Sequence, residues 1–215
     1  MTKNKLLIRI IISSAIVILT VVALIMMFTN TTDTKLVANK WENFKFFTLD
    51  SNVLMCIAAL IDLIYCVKAY RKGDPAIIPK GCDLFFYVGT AAVTLTLLTV
   101  MFFLGPLYGY AEMLKKSNLL FHLVNPLLAI AGLCLYHRER YIPWRGVFIS
   151  ILPMALYGIY YTSLILITGL DHPRTDWYYF VANGLKTAPL VLLIMFAAAF
   201  AISVLLRIAC GGTKK

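Results

Sequence analysis

Six apolar runs, each close to the length of a membrane-spanning helix and separated by short polar segments, constrain this chain more than any other feature. At 1.5 Å of rise per residue, about 20 helical residues cover the roughly 30 Å hydrocarbon core of a bilayer. Backbone groups in lipid find no water, so a spanning segment must satisfy them internally, as a helix or in a closed barrel. The runs are continuously apolar and do not alternate, which selects helices. They fall at about 6–28, 46–67, 84–104, 119–136, 147–168 and 187–208. The expected architecture is an all-α six-transmembrane-helix bundle, with residues 1–215 forming a single membrane domain.

Composition agrees. Only 14% of the residues are charged against 61% hydrophobic, whereas a soluble domain carries about a quarter charged residues. The formal charge of +10 sits at the ends of the apolar runs and forms no basic stripe interleaved with aromatics, so no nucleic-acid partner is expected. Thirteen Lys and Arg flank the runs on the side of the termini (the N-terminus, 68–81, 137–146 and the C-terminal end), against seven in 29–45, 105–118 and 169–186. The excess predicts cytoplasmic N- and C-termini. Lys3, Lys5 and Arg9 before an apolar run resemble a signal peptide, but the run extends to Phe28 and no small-x-small site follows, so it reads as a retained first helix. The five cysteines (Cys56, Cys66, Cys82, Cys134, Cys210) lie in or at the ends of apolar segments without CxxC spacing, which argues against a disulfide framework or a zinc cluster.

With that orientation, the polar residues inside the helices gather towards the outer leaflet. Thr48, Ser51 and Asn52 share one face of the second helix through i, i+3 and i, i+4 spacing, and His122 and Asn125 share a face of the fourth. Tyr157, Tyr160, Tyr161, Thr162 and Ser163 occupy the outer half of the fifth helix, and Asn183 and Lys186 the approach to the sixth. Polar groups in a membrane are costly and face the bundle interior or a wet cavity, so a single outer-leaflet pocket is expected. Pro126 removes a backbone bond beside His122, which predicts a kink and a freed carbonyl. Pro153 and Pro189 fall in first helical turns, where a missing N–H costs little.

A hydroxyl beside an imidazole is the minimum for nucleophilic acyl transfer: the base takes the hydroxyl proton and later returns it to the leaving group. Asn52, Asn125 or Lys186 can hold the developing oxyanion. A plainer reading competes. Serine and threonine in such helices often bond their own i−4 carbonyl, and asparagines stitch helices together. Spacing alone supports a membrane protein with a polar outer pocket. Asp62, well inside the second helix, is expected to pair with Lys68 or to form a protonated interhelical bond; Asp50 points to another face than Thr48. His122 and His172 with Asp171 or Asp176 lack any metal-binding spacing, and His137 lies on the other side, so no metal is expected. Trp177, Tyr178, Tyr179 and Phe180 read as an interfacial belt or a lid.

The stretch Phe46-Phe47-Thr48-Leu49-Asp50-Ser51-Asn52, with His122 and then Pro126 four residues later, resembles the androgen-induced and androgen-dependent integral-membrane proteins and their bacterial relatives. The resemblance implies a six-helix fold and a threonine hydrolase of fatty acid esters of hydroxy fatty acids, with Thr48 and His122 as the catalytic pair. It implies no cofactor, membrane lipids or fatty-acyl esters as partners, and a place in the bacterial cytoplasmic membrane with the pocket towards the outer leaflet. Ser51, Asn52, Asn125, Tyr161, Asn183 and Lys186 are the expected pocket and oxyanion residues. Ser51 as the nucleophile, an acyltransferase using the same pair, and a non-enzymatic lipid-binding or transport protein remain open readings.

Overall fold

A computed structural model describes residues 2–29, 40–136, 142–169, 176, 178 and 188–209. All six expected runs are helices long and apolar enough to cross a membrane: α1 Lys3–Thr29, α2 Phe47–Lys72, α3 Lys80–Tyr108, α4 Ser117–Leu135, α5 Trp144–Thr168 and α6 Ala188–Ala209. No strand occurs among the described residues. An even number of crossings returns the chain to the side on which it began; that is called the terminal side here, and the other the far side. Helix ends overrun the apolar runs where charged side chains can reach out of the hydrocarbon. Thus α2 continues through Lys68, Arg71 and Lys72, stopping where Gly73 turns left-handed at φ 67°.

α3 is the axis. Two-thirds (67%) of its most apolar window is buried, against 22% for α1 and α6. α1, α2 and α4 pack on one flank of it, and α5 and α6 on the other. Small residues permit the close approach: a Cβ on Gly89 would meet Met55 Cα of α2 at 3.1 Å. Outward-facing side chains such as Phe102 and Ile167 form the lipid-facing surface. Trp41 and Trp144 stand exposed near opposite ends, as interfacial aromatics do. α5 is interrupted at Ser150 and Ile151, between segments Trp144–Ile149 and Leu152–Thr168. There Ser150 Oγ donates to Ser203 Oγ of α6 at 2.7 Å.

Prolines reshape α3 and α4, each by a widened π turn, at Val100–Leu104 and Leu120–Val124. In both, the residue just before proline reaches back five positions: Gly105 N–H to Val100 O, and Asn125 N–H to Leu120 O. The following proline has no N–H to give. The carbonyl one past each π acceptor therefore has neither an i+4 nor an i+5 partner, and a side chain takes its place. Tyr110 Oη donates to Met101 O at 2.8 Å. Asn52 Nδ2 donates to Phe121 O at 3.0 Å. The kink expected at Pro126 is thus a π turn, and the freed carbonyl is that of Phe121.

On the terminal side, Arg9 of α1 is 1% exposed and bridges two further helices. Its Nε lies 3.0 Å from both carboxylate oxygens of Asp62 on α2, and Nη2 contacts Asp62 Oδ1 and, at 2.8 Å, Asp83 Oδ1 on α3. Ser13 Oγ donates to Asp62 Oδ2 at 2.9 Å. The expected Lys68 partner for Asp62 is replaced by Arg9. Lys68 is exposed, with its ammonium 5.4 Å from the Tyr65 ring centre, so a buried carboxylate takes the guanidinium that is already inside. Asp83, in the first turn of α3, is a second buried acid that hydropathy alone did not single out.

Candidate functional site

The far-side polar residues divide around α2 into two groups. On the α1/α4 side, Asn52 and Asn125 are both fully buried. Asn52 Nδ2 donates to Thr48 O of its own helix at 2.8 Å as well as to Phe121 O. Asn125 Nδ2 donates to Thr20 Oγ1 at 3.0 Å and to Asn52 Oδ1 at 3.3 Å. The chain of amides locks α1, α2 and α4 at one depth. Asn125 Oδ1, also buried, has no hydrogen-bond partner among the described residues, leaving one acceptor open in the network.

His122 stands in the π turn next to the bridged Phe121 carbonyl and is buried, at 6% exposure. Its Nδ1 lies 2.5 Å from Met113 O. A carbonyl only accepts, so Nδ1 carries the proton, and the lone pair of the neutral ring is on Nε2. Met113 can offer this carbonyl because it closes the short helix Tyr110–Met113, where no following turn supplies a donor. Lys116, at φ 52°, then reverses the chain into α4.

Thr48 is one turn of α2 from Asn52 and half-buried. Its carbonyl accepts from Ser51 Oγ at 3.0 Å and from Asn52, but its hydroxyl has no hydrogen-bond partner among the described residues. Thr20, Thr90 and Thr94 instead donate to the carbonyl four residues back, at 2.7–2.8 Å. Thr48 cannot copy them within α2, because the position four residues back precedes the helix. Thr48 and His122 share no hydrogen bond; they stand on neighbouring helices, each within one turn of the Asn52–Phe121 bridge.

On the other side of α2, a cavity of about 580 Å³ lies between α2, α3 and α5. Leu54, Leu84, Phe85, Val88, Leu152 and Leu156 supply most of its wall, and Asp50, Ser51, Tyr157 and Tyr160 its polar part. Ser51 therefore belongs here, and Ser51 Oγ also lies 2.9 Å from Thr96 Oγ1 of α3. Asp50 faces this cavity and Thr48 does not, as their two-residue spacing requires.

Tyr161 belongs to a third group, an aromatic cap. Its hydroxyl donates to Asp176 Oδ1 at 2.5 Å and accepts from Tyr178 N–H at 3.1 Å. Tyr178 Oη accepts from Phe47 N–H at 3.2 Å, capping the start of α2, and burial pushes this phenol up to about 12. Tyr157 Oη donates to Lys45 O at 2.6 Å. Asn183 and Lys186, together with His137, His172, Asp171, Trp177, Tyr179, Phe180 and Cys210, lie outside the described residues. Among the described residues, no three His, Cys, Asp or Glu side chains are grouped to hold a metal ion. One expected pocket has become an amide-bonded seam carrying Thr48 and His122, an apolar cavity edged by Ser51, and the cap around Tyr161. Sequence reasoning missed the cavity, whose signal was the apolar face shared by Leu152 and Leu156 of α5 with Asp50 opposite. No family model, curated protein or solved structure was found to match the chain.

Proposed function

We propose that this membrane protein is a lipid ester hydrolase in which Thr48 attacks the acyl carbonyl and His122 acts as general base. One observation carries the reading. The Asn52–Phe121 bridge ties α2 to α4 beside both residues, where the Thr48 hydroxyl is uncommitted among the described residues and His122 is held by Met113 with its lone pair on Nε2. A base must be neutral at the accepting nitrogen, and a tautomer fixed from the other side meets that need. The pair closes on substrate: Thr48 Oγ1 loses its proton to His122, directly or through one water, as the C–O bond to the acyl carbon forms. His122 then protonates the departing alkoxide, and water releases the acid by the reverse proton path. An amide N–H serves the oxyanion only by leaving a bond it now makes, since Asn52 donates to Thr48 O and Phe121 O, and Asn125 to Thr20 and Asn52. In this reading the termini face the cytoplasm and the pocket faces the outer leaflet, on the strength of the Lys and Arg bias. The reading accords with the resemblance to the androgen-induced integral-membrane proteins.

The cavity on the opposite flank favours a second reading, a lipid-binding protein without turnover. Purified protein with a fluorogenic fatty-acyl ester separates the two. Thr48→Ala and His122→Ala should each lower hydrolysis at least 100-fold, and an acyl-phosphonate should label Thr48. Wild-type rates in both variants overturn the assignment, and a label on Ser51 moves the nucleophile. Free acid that disappears when an acceptor alcohol is added identifies an acyltransferase.

A further inference from the structure

The cavity between α2, α3 and α5 is apart from the hydroxyl–imidazole pair and holds a charge that the proposed reaction does not use. Asp50, one turn into α2, lines it and makes no hydrogen bond or ion pair among the described residues. The start of α2 provides N–H dipoles that favour an ionised carboxylate. Among the described residues the wall offers no compensating cation: apart from the hydroxyls of Ser51, Tyr157 and Tyr160, its side chains are apolar. An unpaired acid at membrane depth is costly and marks a place where a ligand brings the missing charge.

The rest of the cavity describes that ligand. At about 580 Å³ it has the size of a small-molecule site. Its α5 wall runs from Ile149 to Tyr160, about 16 Å at helical rise, or roughly half the hydrocarbon thickness. Leu152 and Leu156, both in that wall, are more than half exposed on the lipid-facing surface, so the cavity is reached sideways from the bilayer. The carboxylate sits in the first turn of α2, at one end of the cavity, with the rings of Phe47, Tyr157 and Tyr160 in the same lining, whose faces attract cations. Long, apolar, laterally open and acidic at one end, the site complements an acyl chain with an ammonium head.

We propose that this cavity binds a phospholipid bearing an ammonium head group, with one acyl chain along α5 and the ammonium on Asp50. The contact is a charge-assisted hydrogen bond from the ammonium N–H to the carboxylate. Binding here does not depend on hydrolysis by Thr48, so a binding measurement tests it separately.

The full chain, purified in mild detergent and incubated with phosphatidylethanolamine or phosphatidylglycerol of matched chains, is examined by native mass spectrometry for retained lipid. The expected result is phosphatidylethanolamine retained at least fivefold over phosphatidylglycerol. Asp50→Asn should erase that preference while leaving the protein's elution volume unchanged. Val88→Phe, which narrows the apolar section, should lower retention of both lipids. Retention of phosphatidylglycerol equal to or above phosphatidylethanolamine overturns the proposal, as does an unchanged preference in Asp50→Asn or retention of neither lipid by the wild type. The Thr48→Ala variant should bind as the wild type does, so loss of catalysis and loss of this site are told apart.

Discussion

Asp62→Leu tests whether the buried ion cluster fixes α1 against α2 and α3. In the native protein Arg9 Nε and Nη2 both engage Asp62, and Ser13 Oγ and Cys66 Sγ also donate to it, at 2.9 and 3.6 Å. Removing Asp62 leaves a guanidinium that is 1% exposed with Asp83 as its remaining acid, and strips Ser13 of its interhelical acceptor. Nη1 of Arg9 already lacks a partner among the described residues, so the site has little capacity to absorb the loss. Breaking one side of such a pair costs about 3–5 kcal/mol. Replacing every charge of the cluster with apolar groups is far gentler, so Arg9→Met/Asp62→Leu/Asp83→Leu, which leaves no orphaned buried charge on Asp83, should recover at least half of that loss. The measurement is unfolding in detergent followed by a thiol-reactive dye. Cys66 and Cys82, both buried in the cluster's vicinity, report its opening. Additive destabilisation in the triple variant, or a single Asp62→Leu loss below about 1 kcal/mol, would refute the coupling argument.

Three other outcomes are expected. Gly105→Ala places a Cβ 2.3 Å from the Tyr110 ring, so the ring must leave and Met101 O loses its donor. The expected loss is about 1–3 kcal/mol, read as a lower Tm, and Tyr110→Phe should reproduce only the hydrogen-bond part. Pro126→Ala restores an N–H that allows the π turn to tighten and compete for the carbonyls Asn52 now serves. It should leave the fold intact yet lower ester hydrolysis at least tenfold, because His122 rotates with the turn; unchanged rates would separate the π turn from the site. For Tyr178, the folded value of about 12 exceeds the usual phenol value near 10. Its stabilisation is therefore complete below pH 10 and lost as pH rises from 10 through 12. The stability advantage of wild type over Tyr178→Phe should shrink across that window, and a constant gap would contradict it.

The six helices were legible because each run is long and apolar enough to decide its own fate locally. What the sequence left hidden is non-local or depends on helix register. Arg9 reads as one more flanking charge, and only the packing of α1 against α2 and α3 shows it facing Asp62 and Asp83. Pro126 announced a freed carbonyl, but which carbonyl depends on whether the preceding turn is α or π, a choice that local sequence does not dictate. Thr48, Asn52, His122 and Asn125 were legible as two helix faces. Ser51 and Tyr161 were assigned to the same pocket because they share its depth. Depth along the membrane does not fix azimuth: Ser51 turns to α3 and the cavity, and Tyr161 to Asp176 and Tyr178.

The two proline turns follow the same rule with different consequences, and the contrast explains why the far side of α2 is the place to look for chemistry. At Pro106, the freed Met101 carbonyl is taken by Tyr110, which is nine residues on and partly exposed, so the lock stays within one chain segment. At Pro126, the freed Phe121 carbonyl is buried, and its donor is Asn52 on another helix. Leaving a buried carbonyl unpaired costs about 1–3 kcal/mol, and that penalty fixes the register of α2 against α4. A slip of one residue would rotate Asn52 by about 100° away from Phe121 and carry Thr48 with it. The same bond that satisfies the proline's orphan therefore holds Thr48 one turn from α4 and His122 beside the bridge. An arrangement that sets a hydroxyl and an imidazole with this economy needs both Pro126 and Asn52, and under the proposed function loss of either should lower hydrolysis at least tenfold before it unfolds the bundle.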